Sequence, residues 1–352
     1  MGDSVSHSPV EFFEAGYQAF LRAEQAFGGG VESNYEIGGF SVRLRFAGSE
    51  LVPLIGRALG HLAVDRSSQP SLSVFLYSGD AASVRMPPPP WARNSLGAGG
   101  VVERFDSERI HAVFDTGTGA LQMLDAERSR AICWVPRPEL MPYWESSFPL
   151  RPIFHKWLKN SPFQLIHAAA VGRPHGGVLI TGKAGSGKST CALACLESDL
   201  VYAGDDYVLA GVDPGPFVHS LYNTVKLEPD NLHRFPKIRD LITNYNRLGQ
   251  EKALVFLRDY APEKLTRGFP LRAILLPRVT GLRDTRLCAA TPAAALLALA
   301  PTTLLQLRTD SDEVLRKLGA LVRKVPCYRL EAGTDLTQIP AVISNLLDRE
   351  AR

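Results

Sequence analysis

The feature that most restricts this chain is a glycine-rich turn between an apolar run and a helix-forming run. Val178-Leu179-Ile180-Thr181 is short, apolar and rich in β-branched residues, the pattern of a buried strand. It leads into Gly182-Lys183-Ala184-Gly185-Ser186-Gly187-Lys188-Ser189, followed by Thr190, which fits G-x-x-x-x-G-K-[ST]. Glycines let the backbone turn tightly enough for several N–H groups to point at one anion. A helix expected over 188–197 adds its positive N-terminal end. In such a loop Lys188 reaches the outer phosphates of a nucleotide, the Ser189 hydroxyl ligates Mg²⁺, and Lys183 can add charge. Strand, loop and helix stand in the order this mechanism needs.

The next strand is expected at Leu200-Val201-Tyr202-Ala203, with Asp205 and Asp206 at its end and a second apolar run, Tyr207 to Ala210, behind them. A helix of about ten residues is roughly 15 Å long, so a short return strand brings the two carboxylates back beside the loop. Two carboxylates at the mouth of a phosphate site repel each other and the nucleotide unless a cation intervenes. One bound to Mg²⁺ and one poised as a base is a chemically sensible division.

Three stretches together carry a family resemblance: His167 in QLIHAAAVG, the loop GKAGSGKST and the pair in AGDDYVL. They resemble HPr kinase/phosphorylase, a bacterial enzyme that transfers phosphate to a serine of a small carrier protein. That family shares a nucleotide-binding core with ATP-dependent phosphoenolpyruvate carboxykinase. The chain is also similar to the HPr-kinase-like kinases that phosphorylate a serine of lasso-peptide precursors. The likeness is close over residues 160–230 and loose over 230–340. It implies that His167 sits against Asp205, that Asp205 accepts the proton of the attacking hydroxyl, and that Asp206 and Ser189 hold Mg²⁺. The family's second signature, a Glu-x-Arg-Gly-Leu-Gly type stretch, has no counterpart here. The expectation therefore does not extend to the reverse reaction or to HPr as substrate. A carboxykinase is disfavoured, because the chain is short and lacks a second set of metal ligands.

The chain's 352 residues suffice for two domains, each with its own core. At 45% apolar and 21% charged residues the chain reads as neither disordered nor membrane-spanning, and no apolar run approaches the length of a spanning helix. Glu11, Glu14 and Glu24 near the start argue against a signal peptide, and MGDSVS is taken as a chance match to a myristoylation start. A net charge of +3 gives no nucleic-acid footprint; Arg316-Lys317 and Arg323-Lys324 suit the solvated face of a helix. Cys133, Cys191, Cys195, Cys288 and Cys327 are odd in number and form no C-x-x-C, so reduced thiols in a cytoplasmic protein are expected.

Residues 1–150 differ in texture. A helix is expected over Pro9–Ala26, followed by period-two runs at 40–48, 71–79, 110–125 and 130–136 that suggest an antiparallel β domain. MPPPPWARN (86–94) reads as a stiff connector or exposed loop, and DTGTG as a hairpin turn. This β-rich α+β domain is a candidate for acceptor recognition, with Asp115, Asp125 and Glu127 as candidate peptide-facing acids. Residues 151–352 form the expected P-loop kinase domain. A short helix near His155 leads into it, 217–229 reads as a strand pair, and 291–307 and 339–350 read as closing helices. Lys226, Lys252, Arg272 and Arg278 are candidate phosphate contacts, with no choice among them.

The expected fold is thus α/β with a phosphate-loop core of the HPr kinase/carboxykinase type. The expected activity is ATP- and Mg²⁺-dependent phosphoryl transfer to a serine or similar hydroxyl of a peptide or small protein. No nucleic-acid or membrane partner is expected, and homo-oligomerisation stays open. The alternatives are a small-molecule kinase on the same core and a nucleotide-binding regulator without turnover.

Overall fold

Apolar residues at helical spacing, then at period two, build the first of two units into which the chain divides, Met1–Trp157 and Leu158–Arg352. The computed structural model describes residues 8–65, 69–79, 84–91, 96–307 and 311–350. Helix Pro9–Ala26 starts at a capping box: the Ser8 hydroxyl accepts from Glu11 N–H, and the Glu11 carboxylate accepts from Ser8 N–H at 2.8 Å. Its buried stripe, Phe12, Phe13, Ala19, Phe20 and Ala23, packs in one core with Phe75, Tyr77 and Ile132 of the sheet.

That sheet has seven strands, in the order Ala63–Val64, Gly30–Ile37, Phe40–Ala47, Leu72–Ser78, Arg130–Val135, Leu121–Asp125, Ile110–Phe114. It is mixed rather than antiparallel, because Leu72–Ser78 runs parallel to both of its neighbours. Period two fixes which face of a strand is buried and says nothing about strand direction. Here the helical turns within Val52–Leu62 supply a crossover long enough for a parallel return. The DTGTG turn is a hairpin, with Asp115 Oδ1 accepting from Gly117 and Thr118 N–H at 2.8 and 2.9 Å.

Two expectations for this unit change. Asp115 caps its own turn, Asp125 is fully buried against Arg109 at 3.2 Å, and Glu127 pairs with the same arginine at 2.7 Å. Asp125 is therefore withdrawn from the surface, whereas Glu127 stays exposed beside Arg109. Met86 is buried and Trp91 stacks edge-on against Phe12 and Phe105 at 5.2 and 5.1 Å, so the proline-rich stretch closes the core. Residues 92–94 of that stretch lie outside the described residues. The short helix Arg151–Trp157 belongs to the first unit by its contacts, and His155 is buried in it.

The second unit is built on one long strand, Gly268–Val279. Its start pairs antiparallel with Phe217–His219, its middle parallel with Gly176–Ile180, and its end parallel with Cys327–Ala332. Ala169–Arg173 and then Val201–Gly204 extend the sheet beyond Gly176–Ile180. On the other side Val208–Gly211 and then Phe163–Ile166 follow Phe217–His219. The central strands are apolar on both faces, as strands covered on both sides must be. Val178, Ile180, Ala273 and Leu275 face a core shared with the helices Lys188–Ala194 and Gln338–Glu350. Leu179, Phe269 and Ile274 face the core of helices Pro292–Leu307 and Ser311–Lys324. Phe217–His219 and Thr224–Leu227 are not a strand pair: the latter pairs with Ala253–Phe256 in a sheet of its own. No helix among the described residues is long and apolar enough to cross a membrane.

The strand that carries the glycine loop is held at its root by close packing. A Cβ on Gly177 would lie 2.3 Å from the buried ring of Phe269. Gly177→Ala is expected to lower stability by about 1–3 kcal/mol, the range for overpacking a filled core, measured by denaturant unfolding; an unchanged midpoint would show that the ring moves aside freely.

Candidate functional site

The loop emerges where Thr181 N–H donates to the Leu275 carbonyl at 2.9 Å, the last tie to the neighbouring strand. Gly185 at φ 76° and Gly187 at φ 102° adopt left-handed conformations that a side chain would strain. The helix follows as Lys188–Ala194 with a 3₁₀ turn at Cys195–Glu197. Its first internal bond runs from Cys191 N–H to the Gly187 carbonyl, so the amides of Lys188, Ser189 and Thr190 open the helix without an intrahelical acceptor. Lys188 is buried. Its ammonium donates to the Gly182 and Lys183 carbonyls at 2.9 and 3.3 Å, across the loop. Burial lowers its proton affinity, and the charges of Asp205 and Asp206 work the other way. Lys183 itself and Ala184 are exposed on the outer rim of the loop.

His167 and the aspartate pair come together through two matching breaks in adjacent strands. Phe163–Ile166 passes into Ala169–Arg173 through His167-Ala168, and Val201–Gly204 passes into Val208–Gly211 through Asp205-Asp206-Tyr207. On either side of the breaks the two chains pair antiparallel, Ile166 with Val208 and Ala170 with Gly204. Each break is closed by an i→i+2 hydrogen bond: Ala168 N–H to the Ile166 carbonyl at 3.1 Å, and Tyr207 N–H to the Asp205 carbonyl at 2.9 Å. His167 and Asp206 are therefore the central residues of two facing γ-type turns. Asp206 carries the strain, at φ 66°, an uncommon conformation for a non-glycine residue. Thr303 Oγ1, buried on helix Pro292–Leu307, accepts from His167 N–H at 3.3 Å and anchors the first turn from behind.

The turn points the two aspartates in different directions. His167 Nε2 lies 3.2 Å from Asp206 Oδ1, and Lys226 Nζ lies 3.1 Å from Asp206 Oδ2. Asp205 is buried on the other side, where Oδ1 accepts from Asp206 N–H at 3.0 Å and the Ser189 hydroxyl acts to lower the carboxyl's proton affinity. Two pairings implied by the family resemblance are thus corrected: the histidine faces Asp206, not Asp205, and the loop serine faces Asp205, not Asp206. The cause is the left-handed backbone angle at Asp206, which sets the neighbourhood that each of the two side chains meets. Electrostatics follow the geometry. Desolvation and then the neighbouring carboxylate push the proton affinity of Asp205 up. Lys226 and His167 outweigh burial at Asp206 and pull its proton affinity well below the usual carboxylate range.

The donor set suits a divalent cation beside the loop. Asp205 Oδ2 is buried with no hydrogen-bond partner, next to a serine hydroxyl, and hard oxygen donors of this kind suit Mg²⁺. Ser186 Oγ, inside the loop, is likewise buried without a partner. The adjoining cavity of about 550 Å³ is lined by loop residues Ala184, Gly185 and Gly187–Thr190, and by His167, Asp206, Lys226, Lys252 and Arg234. Asp206 lines it, and Asp205, 1% exposed, lies behind the wall.

The candidate cations separate cleanly. Lys226 and Lys252 line the cavity, the latter paired with Glu228 at 2.8 Å. Arg272 stands at the opposite end of the sheet, where it donates to the His175 carbonyl at 3.2 Å. Arg278 is exposed and does not line the cavity, whereas its neighbour Val279 does. Arg234 also lines it; sequence reasoning missed this residue, which ends a 3₁₀ segment, Pro229–Arg234, four strands after the loop helix and sits in no motif. The cysteines are free thiols, four of them buried, and burial pushes the Cys191 thiol up to about 12.

The raised proton affinity of Asp205 has a consequence for stability. A carboxyl whose folded-state pKa lies above its unfolded value stabilises the fold when protonated, and that contribution is lost as pH rises towards the folded value, here about 7. Asp206 has the opposite sign, and its contribution is lost only below the ordinary carboxylate range. In chelator the melting temperature should therefore fall from about pH 5 to about pH 8, and Asp205→Asn should flatten that fall. An equal fall in the variant would assign the effect to other groups.

No protein-family model and no curated protein matches the chain. Among solved structures it is similar to the Hpr(Ser) kinase/phosphatase from Coxiella burnetii, with 14% identity, a TM-score of 0.31, and coverage of 53% of this chain and 90% of that one.

Proposed function

We propose that the chain is an ATP- and Mg²⁺-dependent phosphotransferase whose acceptor is a serine or similar hydroxyl of a peptide or small protein. The observation that carries this reading is the division of the aspartate pair: one carboxylate against the loop serine, the other in the cavity between a histidine and a lysine. A regulator that only binds nucleotide has no use for the second group. The acceptor class rests on the resemblance of His167, the loop and the aspartate pair to the HPr-kinase-like serine kinases.

In this reading Lys188 leaves the Gly182 and Lys183 carbonyls for the outer phosphates. Ser189 and Asp205 would hold Mg²⁺, which would neutralise phosphate charge there. Asp206 lines the cavity and is the carboxylate that an incoming hydroxyl can reach. Lys226 and His167 keep it ionised. When Lys226 turns to the transferring phosphoryl group, Asp206 loses a neutralising partner and becomes a stronger base at the moment it must accept the hydroxyl proton. His167 holds the other carboxylate oxygen in place. The two aspartates thus exchange the roles that the family resemblance implies.

Incubating the protein with γ-labelled ATP and host lysate should place label on a peptide or protein; label on a metabolite would favour a small-molecule kinase, and no transfer a regulator. Asp206→Asn should cost about a hundredfold or more in transfer with Mg·ATP binding near normal, whereas Asp205→Asn should weaken the Mg²⁺ dependence of ATP binding. Full transfer by Asp206→Asn would remove it from the role of base.

A further inference from the structure

The lining of the cavity beside the loop falls into two unlike groups. His167, Asp206 and Lys226 are tied to each other and border this cavity alone. Arg234 and the apolar residues Leu336 and Ile339 also line it, and Arg234 and Leu336 mark its border with a neighbouring cavity. The three lysines of the cavity each have a partner: Lys188 the loop carbonyls, Lys226 Asp206, and Lys252 Glu228. For Arg234 no hydrogen bond or ion pair is found among the described residues. It closes the 3₁₀ segment Pro229–Arg234 and lies within electrostatic reach of Cys191, on the first turn of the loop helix. Arg234 and Leu336 also border a second cavity of about 640 Å³ that runs on along the same helix past Leu193 and Leu196.

From this asymmetry we infer that the Arg234 end is the nucleoside subsite, with Arg234 bonded to the innermost phosphate and the sugar and base against Leu336 and Ile339. The inference rests on the phosphate-loop reading above and adds the direction in which the nucleotide lies. The outermost phosphate must face Asp206, the group placed to activate the hydroxyl. The middle of the phosphate chain belongs to Lys188 and the loop amides. The innermost phosphate then falls towards the border with the second cavity, where the lining presents a cation without a partner among the described residues. A guanidinium offers a planar fork of donors that matches phosphate geometry, and a half-desolvated one without a counter-ion gains most from an anion. The apolar pair in the same lining suits the flat faces of a base, and the second cavity that Arg234 and Leu336 also border offers room beside it.

The test uses the full chain and two ligands in the presence of Mg²⁺: ATP, and inorganic pyrophosphate, which has no nucleoside. Arg234→Ala should weaken ATP binding by about tenfold or more, the loss expected for a charged hydrogen bond. It should leave pyrophosphate affinity and melting temperature unchanged. Arg234→Lys, which keeps the charge and loses the fork, should fall between. In transfer assays the loss should appear in KM for ATP, with kcat near the native value. ATP affinity unchanged in Arg234→Ala overturns the inference. An equal loss for pyrophosphate also overturns it, because Arg234 would then serve the transfer end, and a parallel fall in melting temperature would mark a structural role instead. Lys188→Ala separates the two levels: if it leaves both affinities intact, the phosphate-loop reading fails and this inference falls with it.

Discussion

Two neighbouring carboxylates buried in one wall repel each other, and the second unit is arranged around that repulsion. A regular strand would already send Asp205 and Asp206 to opposite faces, but both faces of this sheet are apolar cores, where an unpaired charge is costly. The strand instead breaks at the pair, and the turn there delivers each carboxylate to a polar neighbourhood. Asp206 receives a histidine and a lysine, and Asp205 receives the serine of the phosphate loop. The matching break at His167 is the other half of the same arrangement. A histidine in mid-strand would enter a core; at the break it meets Asp206.

The strain at Asp206 is held in place by regular structure on every side. Backbone pairing continues immediately before and after both breaks, and Thr303 ties the His167 turn to a buried helix. Such over-determination is what allows an unfavourable backbone conformation to persist. Gly268–Val279 supplies the rigidity, since it joins the strands on both sides of the site and holds the root of the loop through Leu275. The loop needs no further support, because the Lys188 ammonium cross-links its carbonyls.

The cations around the cavity differ in how they are held. Lys188 and Lys226 satisfy groups of the protein itself. Arg234 has no such internal partner among the described residues, although it lines the same cavity.

Local chemistry was legible in the sequence wherever it depended on neighbours in the chain. Glycine spacing marked Gly182–Gly187 as a tight turn between a strand and a helix, apolar runs marked the strands that flank it, and the pair Asp205-Asp206 announced a charge problem. Helix Pro9–Ala26 was expected with the same bounds, and a capping box at Ser8 fixes its start. Strand direction in the first unit was not legible, because period two is the same in parallel and antiparallel strands. Nor were the partners of the two aspartates: which carboxylate meets Ser189 and which meets His167 depends on a left-handed backbone angle at Asp206, stabilised by strands far away in the chain. Arg234 was invisible for a related reason. It belongs to no periodic element, and only the packing of irregular turns against the loop helix brings its charge to the cavity. A sequence records what a residue can do with its neighbours, whereas tertiary packing decides which distant group it meets, because burial leaves each charge only the partners that the surrounding chain brings within reach.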